Sequence, residues 1–201
     1  MADYRELIEE NVKKDRSDLR FLAICLFIFV WLTMFIGANR YFFYYIEVDG
    51  PSMENTLFTG DVPCVNKRVR AVRGDVVIID GEKGNGQCLV KRVIALGGDT
   101  LVIEGGYVWL NGDKLEEDYI KEQGVTKVNG SAERKEYKIP AGEVFYMGDN
   151  RAVSQDSRSS FGTCGEEQIV GVVPDWAMSG FVKWFTGLRA SVSEWVMNLF
   201  G

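Results

Sequence analysis

Three polar residues stand where their types and surroundings could support acyl transfer: Ser52, Lys91 and Ser154. The chain contains no histidine, so a Ser-His-Asp triad is impossible and the usual general base at neutral pH is missing. Lys91 lies inside the apolar run LVKRVIAL, which predicts a buried strand. Burial disfavours the charged ammonium and lowers the pKa of a lysine toward the range that suits a general base. We therefore expect Lys91 to be the base.

Ser52 is the expected nucleophile, because a neutral lysine can remove the proton of a serine hydroxyl. It lies in the sequence Gly50-Pro51-Ser52-Met53, and on that evidence alone it would be an ordinary turn residue. On a strand Lys91 and Arg92 point to opposite faces, so one of the two cations must face the interior or a cleft. The alternative is an edge-strand lysine whose amine reaches the solvent.

A third cluster, GDNRAVSQDSR at residues 148–158, combines hydroxyl groups with opposite charges. Within it, Ser154 is placed to hydrogen-bond the lysine amine and orient it, as the third member of a catalytic set does. A carboxylate in contact with Lys91 would stabilise the ammonium and spoil the base. We therefore expect Asp149, Asp156 and Arg158 to form a structural network around the site.

Charge and cysteine content narrow the possible functions. A formal net charge of −6, with no long Lys/Arg run beyond the first 20 residues, excludes a nucleic-acid binder. The four cysteines contain no C-x-x-C pair, which argues against a structural zinc site or a redox motif, so no metal or cofactor is predicted. Cys25 lies in an apolar segment, and the remaining three cysteines permit at most one disulfide, for which Cys88 with Cys164 is one candidate pair.

The elements that must position these residues begin with an apolar segment. Residues 21–39, FLAICLFIFVWLTMFIGAN, carry no charge and predict one transmembrane helix. The alternatives are a buried core helix and a cleaved signal peptide, but the latter has a shorter apolar region and Ile36-Gly37-Ala38 is a poor cleavage site. Five basic residues precede the segment and only Arg40 closely follows it, which indicates a cytoplasmic segment 1–20 and an extracytoplasmic remainder. Tyr41, Phe42, Phe43, Tyr44 and Tyr45 are expected to form an aromatic belt at the outer interface.

Residues 40–178 predict an extracytoplasmic, mainly β catalytic domain. Short β-branched runs such as DVVIID, TLVIEGGYVWLNGDKL and QIVGVV alternate with glycine-containing turns. Gly105-Gly106 and Asn111-Gly112 predict tight hairpin turns. The polar stretch from Glu116 to Lys138 indicates a solvated excursion off the sheet. Residues 179–201 show apolar residues at helical spacing, which predicts an amphipathic helix on the membrane surface or on the protein's own sheet.

The ordered motifs resemble those of bacterial type I signal peptidases, in their short Gram-positive form. The resemblance covers nearly the whole chain and rests on the anchor followed by four blocks: Gly50-Pro51-Ser52-Met53, Arg73-Gly74-Asp75-Val76-Val77, Lys91-Arg92-Val93-Ile94, and the 148–158 loop. It implies Ser52 as acylating nucleophile, Lys91 as base and Ser154 as the hydroxyl that positions the lysine, with Gly50 and Met53 supporting the nucleophile. It also implies a membrane-bound, monomeric serine endopeptidase that removes signal peptides from preproteins after small residues at the first and third positions before the cut.

Three positions depart from the family pattern. Asn55 and Gly97 replace prolines common in the family, which affects loop rigidity rather than chemistry. Gly50 stands where some members supply an oxyanion-binding hydroxyl, which leaves the Ser52 backbone N–H as one expected donor and the second donor open. Two other functions are compatible with parts of the sequence. They are a cytosolic self-cleaving repressor protease, opposed by the membrane span, and a noncatalytic membrane-anchored β domain.

Overall fold

The computed structural model describes residues 2–81, 86–128 and 133–178. The chain divides into two compact units, Met1–Phe42 and Phe43–Gly201. The amphipathic helix predicted for residues 179–201 lies outside the described residues.

The first unit is one helix, α1 (Ala2–Phe42). Its stretch Asp18–Phe42 has a mean hydropathy of 2.6 and buries none of its apolar window within the protein. A helix of this length and composition is able to span a bilayer. The predicted N-terminal apolar helix is therefore confirmed, and it extends beyond both ends of the predicted span 21–39.

The described part of the second unit contains eleven strands, and the β-branched runs predict its β character. In chain order they are β1 (Phe43–Tyr45), β2 (Cys64–Asn66), β3 (Val76–Ile79), β4 (Leu89–Leu96), β5 (Thr100–Glu104), β6 (Tyr107–Leu110), β7 (Asp113–Lys114), β8 (Arg134–Lys138), β9 (Glu143–Met147), β10 (Cys164–Gly165) and β11 (Ile169–Val173). Seven form one sheet in the order β1-β2-β11-β3-β4-β9-β10, and four form a second in the order β7-β6-β5-β8. The strand pairs are antiparallel. The mainly β prediction is confirmed.

Strand β3, inside the larger sheet, is buried on both of its faces. Val76 and Ile78 of β3 belong to one hydrophobic cluster, whereas Val77 and Ile79 belong to another. A strand covered on both sides has no solvent face, which explains why its sequence is continuously apolar rather than alternating. Polar groups on the neighbouring strand β4 therefore lie in or beside the core.

The two predicted hairpin turns are present. Gly105 and Gly106 join β5 to β6 with φ angles of 59° and 87°. Asn111 and Gly112 join β6 to β7 with φ angles of 53° and 98°. Two consecutive positive φ angles are the requirement of the two-residue turn that matches strand twist.

The prediction that residues 116–138 leave the sheet as a solvated excursion is wrong at both ends. Strand β8 pairs with β5 along its length, from Thr100↔Lys138 to Glu104↔Arg134. Its sequence RKEYK looks like a loop because it is an edge strand with charged, exposed side chains, which protect an edge from further pairing. At the other end, Glu117 is only 5% exposed.

The structure also bears on the candidate disulfide and on the aromatic residues that follow the apolar segment. Cys88 and Cys164 are both free. Cys88 precedes β4, whereas Cys164 pairs with Val144, which lies opposite Leu96 at the far end of β4, so the two are much too far apart for a disulfide. Within the predicted aromatic belt, residues 43–45 form β1, and Phe43 and Tyr44 pack against the protein's own core.

Candidate active site

Ser52 lies on a short 3-10 helix, Pro51–Met53, that follows a glycine with positive φ. Gly50 has φ 95° and ψ 161°, a conformation that side-chain-bearing residues rarely adopt. Met53 is 1% exposed and Leu57 is fully buried, so the turn is fixed to the core on one side. Ser52 itself is half-buried. The turn thus presents a serine hydroxyl at the protein surface from a rigid base.

Lys91 is the partner of that hydroxyl. Its Nζ lies 2.8 Å from Ser52 Oγ and 2.9 Å from the carbonyl oxygen of Val90. The residue is 4% exposed and forms no ion pair with any described carboxylate. Burial lowers the pKa of Lys91 from 10.5 to about 8, although the charges of Asp156 and Asp149 act in the opposite direction. A fraction of the Lys91 amines is therefore neutral near neutral pH, next to the serine hydroxyl.

Arg92, on the opposite face of β4, is buried as well. Its Nε lies 2.9 Å from Asp149 Oδ1 and its Nη2 lies 2.7 Å from Asp149 Oδ2. Its Nη1 donates to the carbonyl oxygen of Gly74, and the guanidinium stacks 4.1 Å from the ring centre of Tyr119. A buried arginine keeps its charge and requires such partners. Arg92 is thus paired with a carboxylate, whereas the neighbouring Lys91 is not.

The 148–158 loop packs against the short helix that carries Ser52 and holds it by hydrogen bonds. The backbone N–H of Asn150 donates to the carbonyl oxygen of Ser52 at 3.0 Å, and its side-chain amide donates to Pro51 O at 3.1 Å. Asp156 accepts from the backbone N–H of Gly148 and, at 2.8 Å, from Nε of Arg158. The structure thus brings Asp149 and Asp156 into pairs with arginines rather than into contact with Lys91.

Ser154 lies close to Ser52 across Gly148 but does not hydrogen-bond Lys91. Its Oγ is buried and has no hydrogen-bond partner among the described residues. A Cβ atom at Gly148 would collide with Ser154 Oγ and with the carbonyl oxygen of Ser52. Gly148 therefore allows the loop to approach the nucleophile closely. The positioning role of Ser154 stays a prediction.

Glu117 and Arg151 form a buried ion pair that the sequence does not predict, with side chains that are 4% and 1% exposed. Arg151 also donates to Thr126 Oγ1 at 2.8 Å and to the carbonyl oxygen of Gly148 at 3.1 Å. The hydroxyl of Tyr119 donates to Glu117 at 2.9 Å. The pair joins the segment before β8 to the loop behind Ser52. Glu117 carries no signal in the sequence, because the residues around it are equally polar.

A cleft of about 550 Å³ contains both Ser52 and Lys91. Residues 46–52 and 87–91 form its walls, together with Val153, Gln155 and Phe161. Much of the lining is apolar, which suits small uncharged side chains at the reacting end of a peptide. Within residues 2–81, 86–128 and 133–178, no group of three or more His, Cys, Asp or Glu is placed to hold a metal ion.

Comparison with known proteins identifies the family of this chain. The family model for signal peptidase, peptidase S26, matches residues 20–176. The chain belongs to the S26 signal peptidase family. This membership confirms the activity expected from the sequence, the removal of signal peptides by a serine endopeptidase.

Relatives in the S26 family span nearly the same length as this chain. Signal peptidase I of Bacillus licheniformis is 35% identical over 173 residues, which cover 82% of this chain and 91% of the relative. Signal peptidase I S of Bacillus subtilis is 35% identical over 173 residues, covering 81% and 90%. A crystal structure of a signal peptidase I from Enterococcus faecalis is 29% identical, with a TM-score of 0.44, and covers 53% of this chain and 98% of that one.

Proposed function

We propose that this S26 peptidase cleaves signal-peptide-bearing preproteins with Ser52 as nucleophile and Lys91 as general base. Lys91 Nζ accepts the Ser52 proton while Ser52 Oγ bonds to the scissile carbonyl carbon. The Lys91 ammonium then protonates the leaving amine, the C–N bond breaks, and the signal peptide stays ester-linked to Ser52. A water molecule that gives its proton to Lys91 hydrolyses the ester.

The observation that carries this assignment is the 2.8 Å contact between Lys91 Nζ and Ser52 Oγ in a cleft. A candidate base must lie within hydrogen-bond reach of the proton it removes, and this lysine meets that condition. The second requirement for a general base is a pKa near the working pH, and burial lowers the pKa of Lys91 toward that value. The noncatalytic alternative gives no reason to bury an unpaired lysine beside a surface serine.

The developing oxyanion needs preorganised donors. The backbone N–H of Ser52 makes no hydrogen bond within the described part of the chain, so it is free to receive the oxyanion. Gly50, which replaces the hydroxyl-bearing residue of some relatives, offers no side-chain donor. Ser154 contributes by orienting the Lys91 amine once the substrate has excluded water.

The membrane is expected to bring the enzyme and its substrate together. In this proposal α1 crosses the bilayer once with its N-terminus in the cytoplasm, and the β domain acts as a monomer on the outer side, next to the lipid. A substrate's own apolar segment lies in the same bilayer and brings its cleavage point to the enzyme. Protease added to intact cells is expected to digest the β domain but to spare residues 1–20.

Cleavage of a preprotein by the detergent-solubilised full chain tests the assignment. Ser52→Ala and Lys91→Ala are each expected to lower kcat/KM by at least about 10³-fold while remaining folded. Ser160→Ala and Lys138→Ala, at exposed positions, are the matched controls and are expected to behave as wild type. Full activity of Lys91→Ala would show that another group is the base, and an inactive wild-type chain would favour the noncatalytic alternative.

A further inference from the structure

The segment from Ile46 to Asp49 forms one wall of the active-site cleft and alternates like an edge strand. Val48 is 3% exposed and Ile46 is half-buried, whereas Glu47 and Asp49 are exposed. Val48 uses both of its backbone groups on the inner side, with its N–H donating to Asp61 O and its carbonyl oxygen accepting from Gly60 N. Neighbouring residues of an extended chain direct their backbone groups to opposite edges.

The backbone groups of Glu47 and Asp49 therefore point away from the 60–63 segment. Neither residue makes a backbone hydrogen bond within the described part of the chain, and both line the cleft. A free edge of this kind accepts an extended peptide as an added strand. The peptide's side chains then alternate between the cleft floor, on the side of Ile46 and Val48, and the outer face, on the side of the two carboxylates.

The carboxylates of Glu47 and Asp49 are not paired with a cation in the part of the chain that the structure describes. Neither Glu47 nor Asp49 takes part in an ion pair or a side-chain hydrogen bond with the described residues, whereas nearby Glu54 pairs with Lys121 at 2.6 Å. Among the cleft-lining residues Lys91 is the one cation, and it is buried. Among the described residues, the outer rim of the cleft therefore carries negative charge that no cation pairs with.

We propose that Glu47 and Asp49 select substrates by charge, favouring Lys or Arg over Asp or Glu at the second and fourth positions before the cut. This inference rests on the proposed function, because it requires the first and third side chains to face the cleft floor. The second and fourth side chains then project onto the same face as the carboxylates. Side chains on neighbouring strands lie about 5 Å apart, where opposite charges attract and like charges repel.

The expected effect is moderate, because both carboxylates are exposed and solvent screens them. Replacing lysine by glutamate at the second position is expected to lower kcat/KM by about 3- to 10-fold at low ionic strength. The effect is expected to appear mainly in KM and to shrink at about 1 M salt, where the screening length falls to about 3 Å. The catalytic step itself is unaffected, since neither carboxylate touches the reacting atoms.

The test measures kcat/KM of the full-length enzyme, in uncharged detergent, on three peptides that differ only in Lys, Gln or Glu at the second position. We expect the order Lys, Gln, Glu for wild type and a Lys/Glu ratio near one for the Glu47→Gln/Asp49→Asn double variant. Asp113→Asn removes an exposed carboxylate outside the cleft and is expected to keep the wild-type ratio. The same three residues are then placed at the fourth position before the cut, and kcat/KM is measured again.

The outcomes separate this inference from the proposed function. Equal cleavage of the three peptides, or a ratio that persists in the double variant, would show that the two carboxylates do not read charge, although Ser52-dependent cleavage would still stand. Failure to cut the Gln peptide, or equal cutting by Ser52→Ala, would instead overturn the proposed function.

Discussion

Lys91 lies next to Ser52, and its buried surroundings make its ammonium group easier to deprotonate. Burial holds its pKa at about 8. Because only the neutral amine can accept the Ser52 proton, kcat/KM is expected to rise about tenfold per pH unit below about 8 and to level off above it. A pH profile of peptide cleavage, with enzyme stability checked at each pH, measures this limb.

A profile that stays flat between about pH 6 and 9 would be incompatible with a lysine base of this pKa. The 148–158 loop offers no alternative base, since Asp149 and Asp156 are both paired with arginines. Lys91→Arg is a useful companion variant, because arginine keeps its proton at every pH in this range. It is expected to be inactive throughout.

The same burial has a consequence for stability. Between about pH 8 and 10.5 the unfolded chain binds a proton at Lys91 that the folded chain does not, so stability rises with pH across this window. Below it, the folded protein carries a buried ammonium at a cost of up to about 3 kcal/mol. Lys91→Met is therefore expected to raise Tm by several degrees at pH 7, with a gain that declines toward pH 10.

Thermal unfolding of Lys91→Met and wild type over this pH range measures the difference. Lys138→Met, at an exposed site, is the control and is expected to leave Tm unchanged. A Lys91→Met protein less stable than wild type at pH 7 would mean that the amine is well solvated or paired. A Lys91→Met variant that is more stable but inactive is the result expected if Lys91 serves catalysis at a cost in stability.

At the scale of elements, the antiparallel register of β4 with β9 assembles the site. Met147, the last residue of β9, lies opposite Arg92, so the 148–158 loop begins next to Lys91. The nucleophile turn is joined to that loop through the hydrogen bonds of Asn150 to Ser52 and Pro51. Strand pairing thus brings together residues that lie about a hundred positions apart in the chain.

The Glu117–Arg151 pair gives a prediction at this scale. Arg151→Met leaves the Glu117 carboxylate buried without its partner and is expected to destabilise the protein by about 3–5 kcal/mol. The double variant Glu117→Leu/Arg151→Met removes both charges and is expected to recover part of this loss. Chemical denaturation of the two variants and wild type supplies the comparison.

Arg70 and Glu166 form a matched surface pair, in which the side chain of Arg70 is 80% exposed. Arg70→Met is expected to cost no more than about 1 kcal/mol. Equal losses for Arg151→Met and Arg70→Met would contradict the view that the buried pair fixes the loop behind Ser52.

Local patterns in the sequence predict much of the fold and part of the site. β-branched runs identify the buried strands, and Gly105-Gly106 and Asn111-Gly112 identify two turns, because these signals depend on neighbouring residues. The contact between Lys91 and Ser52 could be expected, because a lysine inside an apolar strand is unusual, and the catalytic roles of the two residues stay a prediction. Strand β8 and Glu117 could not be predicted, since an edge strand and a buried ion pair depend on partners far along the chain.

At the scale of the whole molecule, truncation of the chain at the junction between the two units tests what each unit contributes to activity. The second unit begins at Phe43, and its first strand, β1, pairs with β2 from Phe43↔Asn66 to Tyr45↔Cys64. Phe43 and Tyr44 also pack against the core. A chain that starts at Phe43 therefore keeps every described strand, whereas one that starts at Glu47 loses β1.

We expect the chain that starts at Phe43 to fold and to cleave a short soluble peptide within about threefold of the full-length rate. On a preprotein embedded in lipid vesicles it is expected to be slower by about 10²-fold or more, because a shared bilayer raises the effective concentration of enzyme and substrate.

The chain that starts at Glu47 is expected to lose about 2–4 kcal/mol of stability through the lost aromatic burial. Tm and cleavage of both substrates by the two truncated chains measure these effects. An equal loss of activity on peptide and preprotein after removal of α1 would show that the helix supports catalysis itself rather than placing the β domain beside its substrate.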